Sequence, residues 1–194
     1  ASEGEEPRLD LYKVARPLVE QRAKDTRQQQ RILAAIECLI GKGASVNQWS
    51  GPGTPLAGAV MSRNIDFVEI LLHSKADVDD ADDKGVTALH TASFDGSGLI
   101  CKALIAARAN VHAADHHKQT PIFFAPTRAV CETLFRAGAD VNAGNTMGQS
   151  ALHLAAKAGL NDTLIWLSQR QSRAVVCLRD FQGKRAEDYA VAAG

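Results

Sequence analysis

Apolar residues recur along this chain with the spacing of one buried helix face. Two segments carry such a stripe of four apolar residues: Ile65, Val68, Leu71 and Leu72 in the first, and Ile100, Cys101, Leu104 and Ile105 in the second. This period predicts short amphipathic helices. Glycines such as Gly96 and Gly159 stand where a turn would join a preceding short helix to such a stripe. The pattern therefore predicts helical hairpins made of two short helices each.

Two short phrases recur in register along the sequence. The first phrase begins at five positions, with spacings of 33, 33, 30 and 35 residues: Thr54, Thr87, Thr120, Ser150 and Arg185. The second phrase keeps the same period and reads ASVN at 44, ADVD at 76, ANVH at 109, ADVN at 139 and, more weakly, AVVC at 174. A fixed period in this range indicates an architecture of stacked repeats.

The first phrase has the chemistry of a helix start. Thr87 is expected to cap the first helix of its unit, because a threonine hydroxyl accepts a free backbone N–H of the first turn. Proline follows the threonine in Thr54-Pro55 and Thr120-Pro121. It then takes the first helical position, where a missing N–H is harmless.

The second phrase follows a predicted helix end. Gly43 and Gly138 stand where a left-handed residue closes the second helix. Lys75 and Arg108 replace that glycine in two units. Each non-glycine residue in this conformation costs about 1 kcal/mol.

These motifs resemble the ankyrin repeat, a 33-residue unit with T-P-L-H-x-A in its first helix and G-A-D-V-N after its second. The resemblance covers roughly residues 44–194. It implies an all-α solenoid of stacked helix–turn–helix units joined by β-turn or hairpin loops, with about four to five repeats and an N-terminal capping helix. The expected organisation is a flexible segment at 1–9 followed by one domain at 10–194. This domain is divided into a capping helix with an irregular first repeat (10–52), repeats at 53–85 and 86–118, a shortened repeat at 119–148, a repeat at 149–183 and a truncated half-repeat at 184–194.

Some units depart from the pattern. Counted from residue 53, the third unit (119–148) lacks three residues between its helices. Its first helix should therefore be short and should end at Pro126. Phe123 and Phe124 are candidates to fill the gap that the missing turn leaves. The segment 10–30 predicts a capping helix with a polar outer face, which Pro17 should bend or interrupt.

Composition and charge narrow the function classes. The sequence is 45% hydrophobic, enough for a continuous core, and it balances 22 basic against 22 acidic residues. A general affinity for nucleic acid is therefore not indicated. No apolar run of 18 residues occurs, so no membrane span is expected.

The cysteines indicate a reducing compartment. The four are widely separated and lack the spacing of metal ligands. We expect an intracellular protein, in the cytoplasm or nucleus. The first residue is Ala rather than Met, which leaves open an organelle interior reached through a cleaved transit peptide.

The histidines are the first candidates for chemistry. His90 and His153 hold the same place in TALH and SALH, and the resemblance implies a structural hydrogen-bonding role for both. Asp82, Asp115 and Asp180 each precede the first phrase by five residues and are predicted to bond local backbone in turns.

Neither a metal site nor an active site is predicted. His112, Asp115, His116 and His117 form the one local cluster with ligand character, but adjacent histidines on a turn point in different directions. Phosphate-loop, nucleophile-elbow and metalloprotease motifs do not occur. We therefore expect a non-enzymatic protein with no cofactor, no metal and no catalytic residues.

The expected function is binding of another protein, of unknown identity, through the fingertip turns and the concave face. The fingertip turns are the tight turns ahead of the first phrase, such as those near residues 82–85 and 145–148. The alternatives are a fixed subunit of a large assembly, the ankyrin portion of a larger enzyme whose catalytic domain lies outside this chain, and a metal- or small-ligand-binding protein centred on the histidine turn. Large apolar residues flanked by charge are typical of binding hot spots. The residues predicted to contact the partner, called the strip below, are Trp49, Met61, Asp83, Lys84, Val86, Phe94, Asp95, His116, His117, Gln119, Met147, Gln149, Lys157, Phe181, Gln182 and Lys184.

Overall fold

A computed structural model describes residues 10–20, 25–48 and 53–193. The predicted flexible segment 1–9 and Trp49 of the strip lie outside these ranges. The described helices are α1 (Leu11–Val19), α2 (Thr26–Gly41), α3 (Pro55–Met61), α4 (Ile65–His73), α5 (Ala88–Phe94), α6 (Gly98–Ala106), the 3₁₀ helix η1 (Pro121–Phe124), α7 (Arg128–Arg136), α8 (Ala151–Lys157), α9 (Asn161–Ser168), α10 (Arg173–Val176) and α11 (Ala186–Ala193).

The helices form two parallel layers, as the predicted all-α ankyrin solenoid requires. One layer holds the first helices of the units, in which α1, α3, α5, η1, α8 and α11 contact one another in that order. The other layer holds the second helices, α2, α4, α6, α7 and α9. Leu56, Leu89 and Leu152 of the first layer and Leu71, Leu104 of the second are buried between them. The fold prediction is confirmed.

The predicted caps begin the helices. The Thr54 side chain accepts the N–H of Ala57, and Pro55 occupies the first turn of α3. Thr87 and Ser150 each form a reciprocal capping box with the histidine three residues later. Cap chemistry therefore sets the start of the first helix in these three units, whereas the Thr120 hydroxyl of the third unit makes no capping bond.

The N-terminal region differs from the single capping helix expected over 10–30. Pro17 lies inside α1, which ends two residues later at Val19, and a second helix, α2, begins at Thr26 after its cap Asp25. Leu11 and Ala15 of α1 are fully buried. Pro17 has no backbone N–H and crowds the carbonyl four residues earlier, so it weakens the turn of α1 that precedes it. The N-terminal pair α1 and α2 is therefore a helical hairpin like the units that follow it.

The third unit loses its three residues from the first helix. The helix is a four-residue 3₁₀ turn, whereas its counterparts α5 and α8 have seven residues. It ends at Phe124, directly before Ala125 and Pro126, as the sequence predicts. The second helix α7 keeps the nine residues of α4 and α6. The shortening is thus confined to the first-helix layer.

Side chains of the second phrase connect neighbouring units. Asn47 accepts the backbone N–H of Asp77 at 2.9 Å, and Asn142 accepts that of Ser172 at 2.9 Å. Asp79 accepts the N–H of Asn110 at 2.8 Å. The final residue of the phrase therefore binds the start of the same loop one unit further on, which explains why a short polar residue stands there.

Arg108 offers a direct test of the left-handed helix ends. Lys75 and Arg108 have φ angles of 61° and 69°, where the equivalent Gly43 has 92°. Arg108→Gly is expected to raise the free energy of unfolding by about 1 kcal/mol, because glycine adopts this conformation without a steric penalty. Chemical denaturation would measure it. Ala106→Gly in α6 is the control and should destabilise by about 1 kcal/mol; destabilisation by both substitutions would contradict the account.

Candidate functional site

One hydrogen-bond pattern shapes the fingertip turns between units. The Oδ1 atom of Asp82 accepts the backbone N–H groups of Lys84 and Val86, both at 2.9 Å. Three later turns repeat the arrangement at 2.8–3.0 Å, with the acceptor side chains Asp115, Asn145 and Asp180. The predicted turn role of the three aspartates is confirmed, and Asn145 fills the same role in the remaining turn.

The fingertips are joined to one another in a row. The N–H of His116 donates to the carbonyl of Lys84 at 2.9 Å, and the N–H of Thr146 donates to the carbonyl of His117 at 2.9 Å. The N–H of Phe181 donates to the carbonyl of Met147 at 3.1 Å. These bonds fix the spacing of side chains on neighbouring turns, so a ligand would meet a prearranged surface.

His90 ties a helix start to the next fingertip. Its Nδ1 accepts the backbone N–H of Thr87 at 3.1 Å, and its Nε2 lies 3.0 Å from the carbonyl oxygen of Gln119 in the next unit. The imidazole must therefore be neutral, with its hydrogen on Nε2, since a proton on Nδ1 would face the Thr87 N–H. Burial lowers the pKa of His90, although the bond to Gln119 opposes that shift. His153 repeats the contacts with Ser150 and the carbonyl of Leu178.

Asp180 holds the last described fingertip to its neighbours. Its Oδ2 atom accepts the hydroxyl of Tyr189 at 2.7 Å and the side-chain N–H of Gln149 at 3.0 Å. Burial would raise the pKa of this carboxyl, but hydrogen bonds from Tyr189, Gln149 and the backbone of Lys184 and Gln182 together hold it well below its usual range. The last turn, α11 and the preceding unit are therefore fastened at one point.

The large apolar residues of the strip are exposed. Phe94, at the end of α5, exposes 69% of its surface, and Phe181, on the last described fingertip, exposes 77%. Met61 and Met147 are also exposed. The Phe181 ring lies against Gly148, where a Cβ atom would stand 2.9 Å from Cε1 of the ring. Its position is thus set by the neighbouring turn although most of its surface faces solvent.

The other described members of the strip divide into exposed polar side chains and half-buried residues. Seven charged or polar side chains are exposed: Asp83, Lys84, His116, His117, Lys157, Gln182 and Lys184. Four residues are half-buried: Val86, Asp95, Gln119 and Gln149. Asp95 pairs with Arg63 at 3.5 Å, and the Gln149 amide is bonded to Asp180. These two side chains have intramolecular partners that the sequence alone did not reveal.

Two exposed apolar residues and one recess on the surface were not predicted from the sequence. Leu99 and Ile165, on the second-helix layer, expose 73% and 54% of their surface. A notch of about 400 Å³ opens beside the shortened third unit and is bordered by Phe94 and Pro126. The three-residue deficit in the repeat spacing was the available signal for the notch, but spacing alone does not tell a filled gap from an open one.

The remaining groups that could carry chemistry are clusters of metal-ligating side chains and the cysteine thiols. In residues 10–20, 25–48 and 53–193, three or more His, Cys, Asp or Glu side chains do not meet at a point where a metal ion could bind. All four cysteines are unpaired, and burial raises the pKa of Cys101 and of Cys131 to about 11. A thiol with such a pKa is a poor nucleophile at neutral pH.

None of the helices in the described part of the chain combines the length and the apolarity that crossing a bilayer demands.

Comparison with known proteins identifies one matching protein family and several proteins of similar sequence. The family model for ankyrin repeats in three copies matches residues 28–115 and stops before the shortened unit. Neurogenic locus notch homolog protein 1 of Homo sapiens is 35% identical over 161 residues, which cover 79% of this chain and 6% of that protein. E3 ubiquitin-protein ligase KEG of Arabidopsis thaliana is 30% identical over 132 residues, which cover 64% of this chain and 8% of that protein.

The chain therefore spans less than a tenth of the length of these relatives. The matched repeats, the two helical layers, and the recurring caps and turns lead to the same conclusion. This chain belongs to the ankyrin repeat family.

Proposed function

We propose that this chain is a non-catalytic protein-interaction module that binds a protein partner through the strip. It would act as a scaffold, an adaptor or a structural subunit of a larger assembly. The observation that carries the proposal is the exposure of Phe94 and Phe181 on elements that are held rigidly by hydrogen bonds. Large apolar side chains on a rigid surface lose little conformational entropy on binding and are frequent hot spots.

The charged residues around these rings support specificity. Asp83 and Lys84 on one fingertip and Lys184 on another are exposed beside the apolar positions. Charges at the rim of an interface steer association and select partners more than they add affinity. A partner with a complementary row of charges would therefore meet the fingertips in one register.

The test is affinity capture with the variant Phe94→Ala, Phe181→Ala. Both side chains are mostly exposed, so we expect an unchanged circular dichroism spectrum and loss of the main partner. Affinity for that partner, measured after its identification by mass spectrometry, should fall by roughly tenfold or more.

The matched control is Leu99→Ala, Ile165→Ala, which removes two exposed apolar residues from the second-helix layer. Retention of the partner by this control and loss by the strip variant fits an adaptor. Loss by both variants fits a subunit enclosed by an assembly. Retention of every partner by the strip variant would contradict the proposal.

A second candidate function is the ankyrin portion of a larger enzyme. It is favoured by the small share of each relative that this chain covers and by the presence of an E3 ubiquitin-protein ligase among those relatives. The size of the endogenous protein, read from an immunoblot with an antibody against this segment, tests it. A mass far above 20.7 kDa supports the enzyme portion, whereas a mass near that value contradicts it.

A further inference from the structure

A groove runs between α2 and α4 in the second-helix layer. The helical members of the strip belong to the first-helix layer, so this groove is a separate surface. Its volume is about 720 Å³, within the range of binding clefts. The apolar part of its lining comes from buried Leu33 and half-buried Ile40 and Ile70. The groove therefore offers apolar surface that the stacking of these two units leaves open.

Carboxylates stand on both walls of this groove. Glu37 on α2 and Asp66 and Glu69 on α4 line it, and all three are exposed. None of them forms an ion pair with another described residue. Three exposed cations adjoin the lining residues in sequence without lining the groove: Arg31, Lys42 and Lys75. The lining therefore carries three negative charges and, among the described residues, no lysine or arginine.

Helical spacing places acidic and apolar residues on the same side of each helix. Leu33 and Glu37 are four residues apart on α2, and Asp66 and Ile70 are four residues apart on α4. Residues at this spacing lie one above the other on a helix surface. Each wall thus presents a carboxylate beside an apolar side chain.

The groove between α6 and α7 shows that stacking alone does not produce this acidity. Its volume is about 560 Å³, and its charged lining residues are Lys102, Glu132 and Arg136. Glu132 is engaged by Arg136 at 3.1 Å and by the indole N–H of Trp166 at 2.9 Å. The charge of that lining is one positive. Two grooves of the same architecture therefore have opposite charge, and only the one between α2 and α4 is complementary to a cationic ligand.

We propose that the groove between α2 and α4 binds an amphipathic helix that carries Lys or Arg on both sides of its apolar stripe and belongs to a second protein partner. An amphipathic helix binds by laying its apolar face into an apolar groove. Leu33, Ile40 and Ile70 receive the stripe, and the carboxylates of the two walls meet the cations that flank it. The inference goes beyond the proposed function, because it assigns a second binding surface that leaves the strip free.

The test uses designed helical peptides as probes of the intact chain. The groove wall formed by α4 is nine residues long, so a peptide of about 18 residues covers it with a turn to spare at each end. Three labelled peptides share one leucine stripe and carry Lys, Gln or Glu at the flanking positions. Fluorescence anisotropy measures their dissociation constants.

The Lys peptide is expected to bind about tenfold more tightly than the Gln peptide, and the Glu peptide most weakly. Its affinity should fall as NaCl is raised from about 50 to about 300 mM, because salt screens exposed charges. A Lys peptide of the same composition with a scrambled stripe should bind at least about tenfold more weakly. Equal binding of the Lys and Gln peptides, or of the Lys peptide and its scrambled version, overturns the proposal.

A first pair of variants tests the charges of the groove. Glu37→Gln, Glu69→Gln removes one carboxylate from each wall and should weaken the Lys peptide about tenfold without changing the Gln peptide. Asp83→Asn, Asp162→Asn is the matched control, since it removes two carboxylates from exposed positions outside the groove. The control should bind normally. Equal losses in the two variants would reveal attraction to net charge only and overturn the proposal.

A second pair of variants tests the apolar contact. Ala34 and Ala35 are both exposed on α2, but only Ala34 lines the groove. Ala34→Trp fills the groove and should weaken the Lys peptide about thirtyfold, as loss of a hot spot does, whereas Ala35→Trp should bind it normally. Unchanged melting temperatures check that the variants fold. Equal binding to the two tryptophan variants overturns the proposal.

Failure of the groove is distinguishable from failure of the proposed function. The strip variant Phe94→Ala, Phe181→Ala should bind the Lys peptide normally. A Lys peptide that is lost on the strip variant and kept on Ala34→Trp binds the strip, which overturns the groove proposal alone. A strip variant that retains every captured partner, together with a Lys peptide that is lost on Ala34→Trp, supports the groove and contradicts the proposed function.

Discussion

His90→Ala is expected to lower the free energy of unfolding by about 3 kcal/mol. The side chain is 2% exposed, and its ring bonds Thr87 within the unit and Gln119 in the next unit. Alanine leaves a cavity and deprives the Thr87 N–H and the Gln119 carbonyl of their buried partner. Denaturation by urea, monitored by circular dichroism, measures the loss.

The same residue gives the stability a dependence on pH. Because burial lowers the pKa of His90, the folded chain binds that proton less readily than the unfolded chain, whose histidine pKa is about 6.5. The contribution is complete above pH 6.5 and is lost as the pH falls through the lower pKa of the folded state. Stability should therefore decline below pH 6.5, and less so in His90→Ala.

The control for this prediction is His116→Ala, because His116 is exposed on a fingertip. It should change the free energy of unfolding by less than about 0.5 kcal/mol. Equal effects of the two substitutions would show that the buried hydrogen bonds of His90 do not hold adjacent units together.

Asp180→Asn is expected to destabilise the last described unit by about 2 kcal/mol. The carboxylate accepts four hydrogen bonds, two on each oxygen. An amide has only one oxygen, so its NH₂ group would face donors at Tyr189 and Gln149. The loss should be local, because Tyr189 belongs to α11, which packs on α8. Hydrogen exchange of α11 amides should accelerate about thirtyfold, while those of α5 should not change.

Acid should mimic this substitution. Since the pKa of Asp180 lies well below its usual range in the folded chain, its contribution is present above the unfolded-chain value of about 3.9 and is lost as the pH falls below that value. Asp83→Asn, at an exposed fingertip position, is the control. Protection of α11 that survives in Asp180→Asn would contradict the role assigned to this carboxylate.

The regular part of the fold was predictable because each unit repeats the same capping and helix-ending residues. Thr54, Thr87 and Ser150 cap helices, and glycine or a strained Lys75 and Arg108 end them. Such signals act within a few residues, so a single sequence reveals them. The shortened first helix at Pro121–Phe124 was likewise readable from the spacing and from Pro126.

The N-terminal hairpin and the surface contacts were less accessible. The sequence contains a local signal for the start of α2, because Asp25 stands three residues before Gln28 and ahead of an apolar run, but the recurring phrases do not extend to it. The engagement of Gln149 by Asp180 joins residues 31 positions apart. Contacts of this kind arise from stacking, which sequence periodicity predicts only in outline. The partner-binding roles of the strip residues remain predictions.

The most direct test of the account is lysine footprinting of the chain alone and in complex with its captured partner. Lys84, Lys157 and Lys184 belong to the strip, whereas Lys42 follows α2 and Lys102 lies on α6 in the second-helix layer; all five are exposed. The account predicts that the partner protects the three strip lysines from acetylation and leaves Lys42 and Lys102 reactive. Protection of Lys42 and Lys102 with continued labelling of Lys84, Lys157 and Lys184 would contradict it.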